Sequence, residues 1–357
     1  MHALDNLGWD PFFDQQVTDD ERARWTPARV VWEGRERFHV STGDARWRAE
    51  LSGRLRYIAT TGADLPAIGD WVLAEVRAAE GTATIHRVLR RRSQLSRAAA
   101  GRSTEEQVIA ANVDTVLLVT SVNRDFSVRR IERYLVLAWE SGARPIVVLN
   151  KADLCAVPEV WRRDLASAAP GIPVLVTSAV TGHGMPALVE LIRAAGTSAL
   201  LGSSGVGKST LINALLGDEW QSVKPIRDRD QRGRHSTTSR QLFCVPGGGI
   251  LLDTPGLREL QLWDADGGLE HAFDDIETFA CRCRFRDCSH EGEPGCAVAA
   301  AIGRGQLAAD RLASYHRLQR EHRYLESRLD ETARSERTRK ARQIAKAVRL
   351  QYKLRRR

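Results

Sequence analysis

The chain has 357 residues, of which 43% are hydrophobic and 27% are charged. This length predicts two or three domains, and this composition is typical of a globular protein. It excludes a disordered chain, a collagen-like fibre and a small disulfide scaffold. No apolar stretch approaches the ~20 residues that cross a bilayer, and the start of the chain lacks a basic segment followed by an apolar run. We therefore expect no membrane contact and a cytoplasmic protein.

The net charge of +8 is concentrated at the end of the chain. Residues 331–357 hold 11 Lys or Arg and 2 Asp or Glu, a net charge of +9, so the rest of the chain is nearly neutral. A basic tail favours a polyanionic partner, most often nucleic acid. A solvated helix end would explain the same run of charge equally well.

The first hundred residues predict a small β-barrel. Residues 1–27 are expected to form a weakly structured N-terminal extension. Between residues 28 and 97, short β-rich segments alternate with turns, without a helical period; the segments are 28–33, 37–41, 45–51, 70–76 and 82–88. Five short strands in this length predict an OB-type barrel, and a small SH3-like barrel fits nearly as well.

After an expected linker at 98–110, apolar strands alternate with helical segments, which predicts a parallel sheet with helices on both faces. The strands are expected at 113–121, 145–149, 172–176, 199–201, 242–245 and 250–252, and the helices at 128–139, 186–195 and 210–216. We therefore predict an α/β domain over 98–262. Residues 263–357 contain a Cys/His cluster followed by helical sequence and the basic tail.

A phosphate-binding loop is predicted at residues 202–209, which match G-x-x-x-x-G-K-[ST] between a short strand and a helix. Its glycines let several backbone N–H groups face one point at a helix N-terminus, where phosphate oxygens bind. Lys208 would reach the β- and γ-phosphates, and the Ser209 hydroxyl would bind Mg²⁺. A glycine-rich turn without a ligand is the alternative. The candidate nucleotide-binding residues of this loop are Gly202, Ser203, Ser204, Gly205, Val206, Gly207, Lys208, Ser209 and Thr210.

A second segment, Asp253-Thr254-Pro255-Gly256, follows the strand at 250–252. By itself this tetrapeptide is an ordinary turn signal. Downstream of a phosphate loop, however, Asp253 suits an outer-shell partner of Mg²⁺, and the N–H of Gly256 suits the γ-phosphate.

Two further loops at strand ends predict selectivity for guanine. The Asp153 carboxylate can accept hydrogen bonds from guanine N1–H and the exocyclic amine, a donor pair that adenine lacks, so GTP is favoured over ATP. Each of these segments alone could be a turn. The candidate base-binding residues are Asn150, Lys151, Ala152, Asp153, Thr177, Ser178 and Ala179.

Together these segments resemble the G1, G3, G4 and G5 motifs of translation-factor-related GTPases in the permuted order G4, G5, G1, G2, G3. With this order, the sequence resembles the ribosome small-subunit-dependent GTPase family (RsgA/YjeQ/EngC) along nearly the whole chain. Residues 66–72 resemble a motif of that family's OB barrel, and residues 232–238 resemble its G2 switch. The resemblance implies a circularly permuted GTPase domain between an OB barrel and a helical zinc-binding domain.

The resemblance also implies that His235, in the switch, orients the attacking water. Many GTPases use a glutamine just after D-x-x-G, where this chain has Leu257, so we expect slow intrinsic hydrolysis. A contact of His235 with RNA or solvent is the alternative. Thr237 or Thr238 could join the Mg²⁺ shell when the γ-phosphate is present. The family usually has a third threonine where this chain has Ser236.

The cysteine spacing predicts one structural Zn²⁺. Cys283, Cys288, His290 and Cys296 supply three sulfurs and one imidazole, and four protein ligands leave no open position for catalysis. A disulfide or reduced thiols are the alternative. Cys281 competes for the first ligand position, which the family spacing assigns to Cys283. Because this cluster follows the G3 segment directly, we hypothesise that nucleotide state and zinc-domain position are coupled.

For function, the resemblance implies a monomer that binds GTP or GDP, the 30S subunit and 16S rRNA, but not DNA. It implies slow hydrolysis stimulated by the 30S subunit and help in releasing the assembly factor RbfA. An RNA-binding protein with GTP as a structural ligand is the alternative, and an ATPase or kinase is disfavoured by residues 150–153. The basic segment 337–357 would add phosphate affinity. Barrel candidates for RNA contact are Arg46, Trp47, Arg48, Arg54 and Arg56, with a place of Trp47 in the barrel core as the alternative.

Overall fold

The computed structural model describes residues 3–34, 37–98, 106–123, 126–217, 240–253, 266–325 and 327. A closed five-stranded barrel lies near the N-terminus, because its first strand pairs with both the second and the fourth. Alternate residues such as Val30 and Val40 fill its interior, so the period-two pattern that predicted the strands also builds the core. The OB-type barrel is confirmed. Its strands are β1 (Thr26–Gly34), β2 (Arg37–Ser41), β3 (Arg46–Leu51), β4 (Trp71–Arg77) and β5 (Thr82–Val88).

The segment before the barrel is structured, so the expectation of a weakly structured extension was wrong. It contains two short helices, α1 (Pro11–Asp14) and α2 (Asp19–Arg24). Leu7, Phe13 and Val17 are buried around Trp71 of β4, which is fully buried. The apolar residues are too irregularly spaced to show a period, but burying an indole on the outside of the barrel holds the segment in place.

The expected linker at 98–110 was also partly wrong. Strands β6 (Gln94–Ala98) and β7 (Glu106–Ala111) pair as an antiparallel hairpin. Ile109 and Ala110 are fully buried, and the N–H of Ala111 donates to Ile68 O at 2.9 Å. The apolar end of β7 therefore packs against the barrel loop that contains Ile68, instead of crossing solvent. A helix, α3 (Gly53–Ile58), lies earlier in the chain, after β3.

The central sheet has the order β10-β9-β8-β11-β13-β12. All neighbours are parallel except β12, which runs antiparallel to β13. The observed strands lie within three residues of the predicted bounds. They are β8 (Thr115–Ser121), β9 (Arg144–Asn150), β10 (Val174–Val176), β11 (Thr197–Leu201), β12 (Arg240–Cys244) and β13 (Ile250–Asp253).

Helices cover both faces of this sheet. Val116 and Leu118 of β8 face the core beneath two helices, and Leu117 and Val119 face the core beneath two others. Strands buried on both faces have continuous apolar sequences, which is why β8 shows no alternation. The first face carries α4 (Val128–Glu140) and α5 (Pro158–Ala168), and the second carries α6 (Met185–Ala195) and α7 (Lys208–Leu216).

Barrel and central sheet are joined by backbone pairing between β1 and β12. Trp32 lies opposite Gln241 and Glu33 lies opposite Arg240. An ion pair of 2.7 Å between Arg240 and Glu33 reinforces the junction, and both side chains are mostly buried. The two parts therefore form one hydrogen-bonded sheet of eleven strands.

A buried arginine, Arg29, forms hydrogen bonds with several segments at this junction. Its guanidinium donates to the carbonyls of Leu7, Gly69 and Asn112 and, at 3.0 Å, to Thr197 Oγ1. Burial lowers its pKa to about 10, so Arg29 remains a cation at neutral pH. One side chain thus connects the N-terminal segment, the barrel and the first strand residue of β11.

The C-terminal part is helical, as predicted. Phe273 and Ile276 are fully buried in the core that also contains residues of α4. The helices are α8 (Asp266–Ala272), α9 (Asp274–Ala280), α10 (Ala297–Gly303) and α11 (309–325). No described helix is long and apolar enough to cross a membrane. The basic tail lies outside the described residues, and the domain limits at 27, 97 and 262 stay predictions.

Candidate functional site

The predicted phosphate loop lies between β11 and α7, as its sequence requires. Gly205 and Gly207 have φ angles of +80° and +96°. A Cβ on Gly207 would lie 2.4 Å from Nδ2 of Asn150, so both its backbone conformation and its close contact require glycine. Only glycine therefore fits this position of the loop.

Lys208 begins α7 and folds back over the loop. Its Nζ donates to Gly202 O at 2.5 Å and to Ser203 O at 2.7 Å. Ser209 and Thr210, the next two residues of the helix, are exposed. The positive end of the helix and the ammonium of Lys208 are thus directed to the same loop, an arrangement that favours an anion.

Asn150 connects three of the predicted nucleotide loops. It ends β9, is 1% exposed, and donates from Nδ2 to Val206 O in the phosphate loop at 3.0 Å. Its Oδ1 accepts from Thr177 Oγ1 at 3.3 Å. The Lys151 ammonium adds a contact of 2.6 Å with Gly205 O. The structure therefore brings the segments 150–153, 177–179 and 202–209 together.

The Asp153 carboxylate is held in place by a neighbouring loop. Ser178 Oγ donates to Asp153 Oδ1 at 2.5 Å, while Asp153 itself is exposed. The N–H of Ala152 donates to Thr177 O at 3.0 Å, which fixes the spacing of the two loops. Ala179 follows at the partly buried edge. An oriented carboxylate beside a phosphate loop can accept the paired donors of a guanine edge.

Asp253 is the last residue of β13, and its strand register places it near the phosphate loop. Ala199 pairs with Leu252, so Asp253 lies beside Leu200 on the neighbouring strand. Gly202, the first residue of the phosphate loop, follows Leu200 by two residues. The other predicted catalytic residues lie outside the described residues. They are His235, Thr237, Thr238 and Gly256, together with Ser236 and Leu257.

The predicted zinc ligands converge. The ligand atoms of Cys283, Cys288, His290 and Cys296 all lie within 4.8 Å of one another. His290 Nδ1 lies 3.6 Å from Cys283 Sγ and 3.5 Å from Cys296 Sγ. A tetrahedral ion with Zn–S bonds of about 2.3 Å and a Zn–N bond of about 2.0 Å would separate nitrogen and sulfur by ~3.5 Å. The donor set and its spacing therefore fit zinc.

Local structure supports this cluster. Burial disfavours the charged form of Cys283, but the backbone N–H groups of Val298 and Ala297 lower the pKa of its thiol. Cys296 is the N-cap of α10 and accepts from Ala299 N at 3.3 Å. Cys281, the alternative ligand, is exposed, and its Sγ contacts Thr278 O. Cys281 is not among the four residues whose ligand atoms converge.

Two arginines with long-range contacts, one of them to the phosphate loop, were not predicted from sequence. Arg130 of α4 donates from Nη1 to Ser203 Oγ in the phosphate loop at 3.2 Å. Arg311 of α11 is 5% exposed and forms an ion pair of 3.0 Å with Glu132 of α4. Both pairs join residues that are distant in sequence, and a charged residue on an amphipathic helix usually indicates a solvated face, so no local signal marks them.

The barrel candidates for RNA contact lie on one barrel strand and the helix after it. Arg46 and Arg48 of β3 and Arg54 and Arg56 of α3 are exposed. Trp47 instead packs partly against the barrel core, and its Nε1 donates to Thr42 Oγ1 at 3.3 Å. The four arginines are accessible to a polyanion, whereas the indole serves the barrel.

Comparison with known proteins agrees with this geometry. The family model described as RsgA GTPase matches residues 88–263. The small ribosomal subunit biogenesis GTPase RsgA of Opitutus terrae is 44% identical over 347 residues, which cover 94% of this chain and 95% of that protein. The similarity therefore extends from the barrel to the zinc cluster.

Solved structures show the same architecture. YjeQ from Thermotoga maritima matches with a TM-score of 0.63 and 29% identity, over 84% of this chain and 98% of its own. YloQ, described as a circularly permuted GTPase, matches with a TM-score of 0.61 and 24% identity, over 86% and 98%. With the permuted loops assembled as described, this chain is a circularly permuted GTPase and belongs to the RsgA family.

Proposed function

We propose that this GTPase acts in the biogenesis of the small ribosomal subunit. The observation that carries the nucleotide assignment is the junction at Asn150, which connects the phosphate loop with both guanine loops. The ribosomal assignment is supported by the relative of Opitutus terrae, whose name states that role. We further infer a cytoplasmic monomer that binds the 30S subunit through 16S rRNA and assists the release of RbfA.

In this proposal, GTP lies across the loops that Asn150 connects. The N–H groups at the start of α7 bind the phosphates, and Lys208 Nζ exchanges the carbonyls of Gly202 and Ser203 for phosphate oxygens. Asp153, oriented by Ser178, accepts two hydrogen bonds from the guanine edge. The remaining candidates at residues 150–152, 177–179 and 202–210 shape the cleft.

Hydrolysis requires a second set of groups around the phosphates. The Ser209 hydroxyl and the Asp253 carboxylate are hard oxygen donors, which suit Mg²⁺ bound with GTP. This ion would neutralise charge on the β- and γ-phosphates. We infer that Thr237 or Thr238 completes its shell, that Gly256 N–H contacts the γ-phosphate and that His235 orients the water.

The partner surface combines two basic regions with the zinc module. The exposed arginines of β3 and α3 would contact RNA phosphates, and the tail at 337–357 would add affinity that falls with salt. The zinc ion at Cys283, Cys288, His290 and Cys296 would fix a segment too small to have its own core. We therefore infer that the barrel, the zinc module and the tail bind the subunit, while the GTPase domain binds and hydrolyses GTP.

Replacing Asp153 by asparagine is expected to exchange nucleotide specificity. Without the carboxylate, the complex with GTP would lose two charge-assisted hydrogen bonds to the guanine edge, each worth about 1.5–3 kcal/mol. GTP affinity should therefore fall roughly 10²- to 10⁴-fold. Xanthine carries a carbonyl oxygen where guanine carries its amine, and the new amide can donate to it. Competition binding with GTP and XTP measures the exchange. Asp164→Asn, an exposed carboxylate on α5, is the matched control and should change neither affinity.

The function itself is tested by steady-state phosphate release from GTP, with and without purified 30S subunits at fixed salt. We expect slow release by the chain alone and strong stimulation by the subunit. Lys208→Ala should reduce the stimulated rate about 10²-fold or more, because one preorganised cation at the phosphates is lost. Arg163→Ala, an exposed arginine of α5, should leave it unchanged.

A low rate that 30S subunits do not change would contradict the proposed trigger. It would favour the alternative in which GTP is a structural ligand of an RNA-binding protein. Equal stimulation of the parent and the Lys208→Ala variant would instead point to a contaminating GTPase in the subunit preparation.

A further inference from the structure

A basic pocket lies where the GTPase helix α4 meets the C-terminal helix α11. Its volume is about 240 Å³, and its lining includes four arginines and no lysine: Arg129, Arg130, Arg133 and Arg317. On α4, positions 129, 132 and 133 share one face, because residues three and four apart are neighbours on a helix. On α11, positions 314, 317, 318 and 321 do the same.

The two carboxylates of this pocket are already neutralised. Glu321 forms an ion pair with Arg133, and Glu132 forms one with the buried Arg311. Arg129 and Arg317 are exposed and form no ion pair with any residue that the structure describes. The pocket therefore presents a net positive charge from side chains that no described carboxylate balances.

Arg130 links the pocket to the nucleotide site. It lines the pocket and donates to Ser203 Oγ of the phosphate loop at 3.2 Å. A guanidinium is a planar donor that binds phosphate oxygens in pairs and is weakly hydrated, so four arginines form a phosphate site more readily than four lysines would.

We propose that this pocket binds a phosphate of the RNA backbone, next to the phosphate loop. The inference rests on the proposed function, because that function supplies the RNA. Arg129 and Arg317 hold the phosphodiester from the two sides of the junction between α4 and α11. RNA bound there contacts both the GTPase domain, through α4, and the C-terminal part, through α11. Arg130, which lines the same pocket, contacts Ser203 of the phosphate loop.

The test compares two double variants of the full chain, Arg129→Gln with Arg317→Gln and, as matched control, Arg163→Gln with Arg323→Gln. The control residues are exposed arginines, one on α5 and one on α11, outside the pocket. Affinity for purified 30S subunits is measured at several salt concentrations. Loss of one phosphate contact should reduce the slope of log K against log salt by about 0.7–0.9. Affinity at low salt should fall roughly tenfold or more.

The pocket variant should differ from the parent and from the control. If it keeps the parent's slope and affinity, or if the control loses as much, the inference is overturned. Calorimetric titration with inorganic phosphate tests whether the pocket binds free phosphate instead of RNA. The RNA assignment is overturned if the parent and the control bind phosphate saturably, the pocket variant does not, and the pocket variant still binds the subunit with the parent's affinity. A parent chain that does not bind the subunit at all contradicts the proposed function instead.

Discussion

Replacing Cys288 by serine is expected to abolish zinc binding and to unfold the segment around it. The cluster consists of three cysteines and His290. The distances from His290 Nδ1 to the sulfurs of Cys283 and Cys296, 3.6 and 3.5 Å, match the separation of two ligand atoms around a tetrahedral zinc ion. The described residues of this segment bury little apolar surface besides Cys296, Val298 and Ala301. In small zinc modules the apparent binding free energy at pH 7 is about 10–16 kcal/mol, and it is also folding free energy.

Metal content and amide hydrogen exchange measure this effect. The parent should contain one zinc per chain, and α10 should be protected; the Cys288→Ser variant should contain none and lose protection from 282 to 303. Cys281→Ser is the matched control, because Cys281 is exposed and lies outside the cluster. Full zinc content in the Cys288→Ser protein, or its loss in the Cys281→Ser protein, would show that the ligand set is wrong.

Replacing Arg311 by methionine is expected to lower the free energy of unfolding by about 3–5 kcal/mol. Its guanidinium donates to Glu132 at 3.0 Å, to Asp275 at 2.9 Å and to the carbonyls of Ala168 and Ala272. Glu132 is only 3% exposed, so without Arg311 it would remain as an uncompensated buried carboxylate. Urea unfolding of the parent and the variant measures the loss.

Two further variants separate charge burial from general damage. Glu132→Leu added to Arg311→Met should recover part of the loss, because an apolar pair of similar volume avoids the desolvation of both ions. Arg133→Met breaks the partly exposed pair between Arg133 of α4 and Glu321 of α11, and it should cost ~1 kcal/mol or less. Equal losses for Arg311→Met and Arg133→Met would contradict the buried-charge explanation.

Short-range patterns explain which elements could be predicted. The barrel strands were placed within two residues because inward and outward side chains alternate along them. The phosphate loop was predicted because its glycines and Lys208 lie within eight residues. The sequence predicts a linker in place of the hairpin strand β7, because the polar residues before this strand resemble a loop and its burial depends on Ile68 from the barrel.

The connections between elements could not be predicted in the same way. Asn150 was identified as a base-binding candidate, but its bond to Val206, 56 residues away, is visible only in the fold. The pair of Arg311 and Glu132 joins positions 179 residues apart. In sequence, both are ordinary charged residues of amphipathic helices, and only the packing of α11 on α4 makes them a buried pair.

The pairing of β1 with β12 connects the barrel directly to the sheet of the GTPase domain, so a force on the barrel is transmitted to that sheet. Arg240 begins β12 directly after residues 218–239, the part of the chain that contains the predicted switch. One edge of β12 is bonded to β13, which ends at Asp253, and the other to β1. A load that tilts the barrel must therefore either strain β12 or break its register and the ion pair with Glu33. The chain that follows the predicted switch is thus paired with the barrel from residue 240 onward.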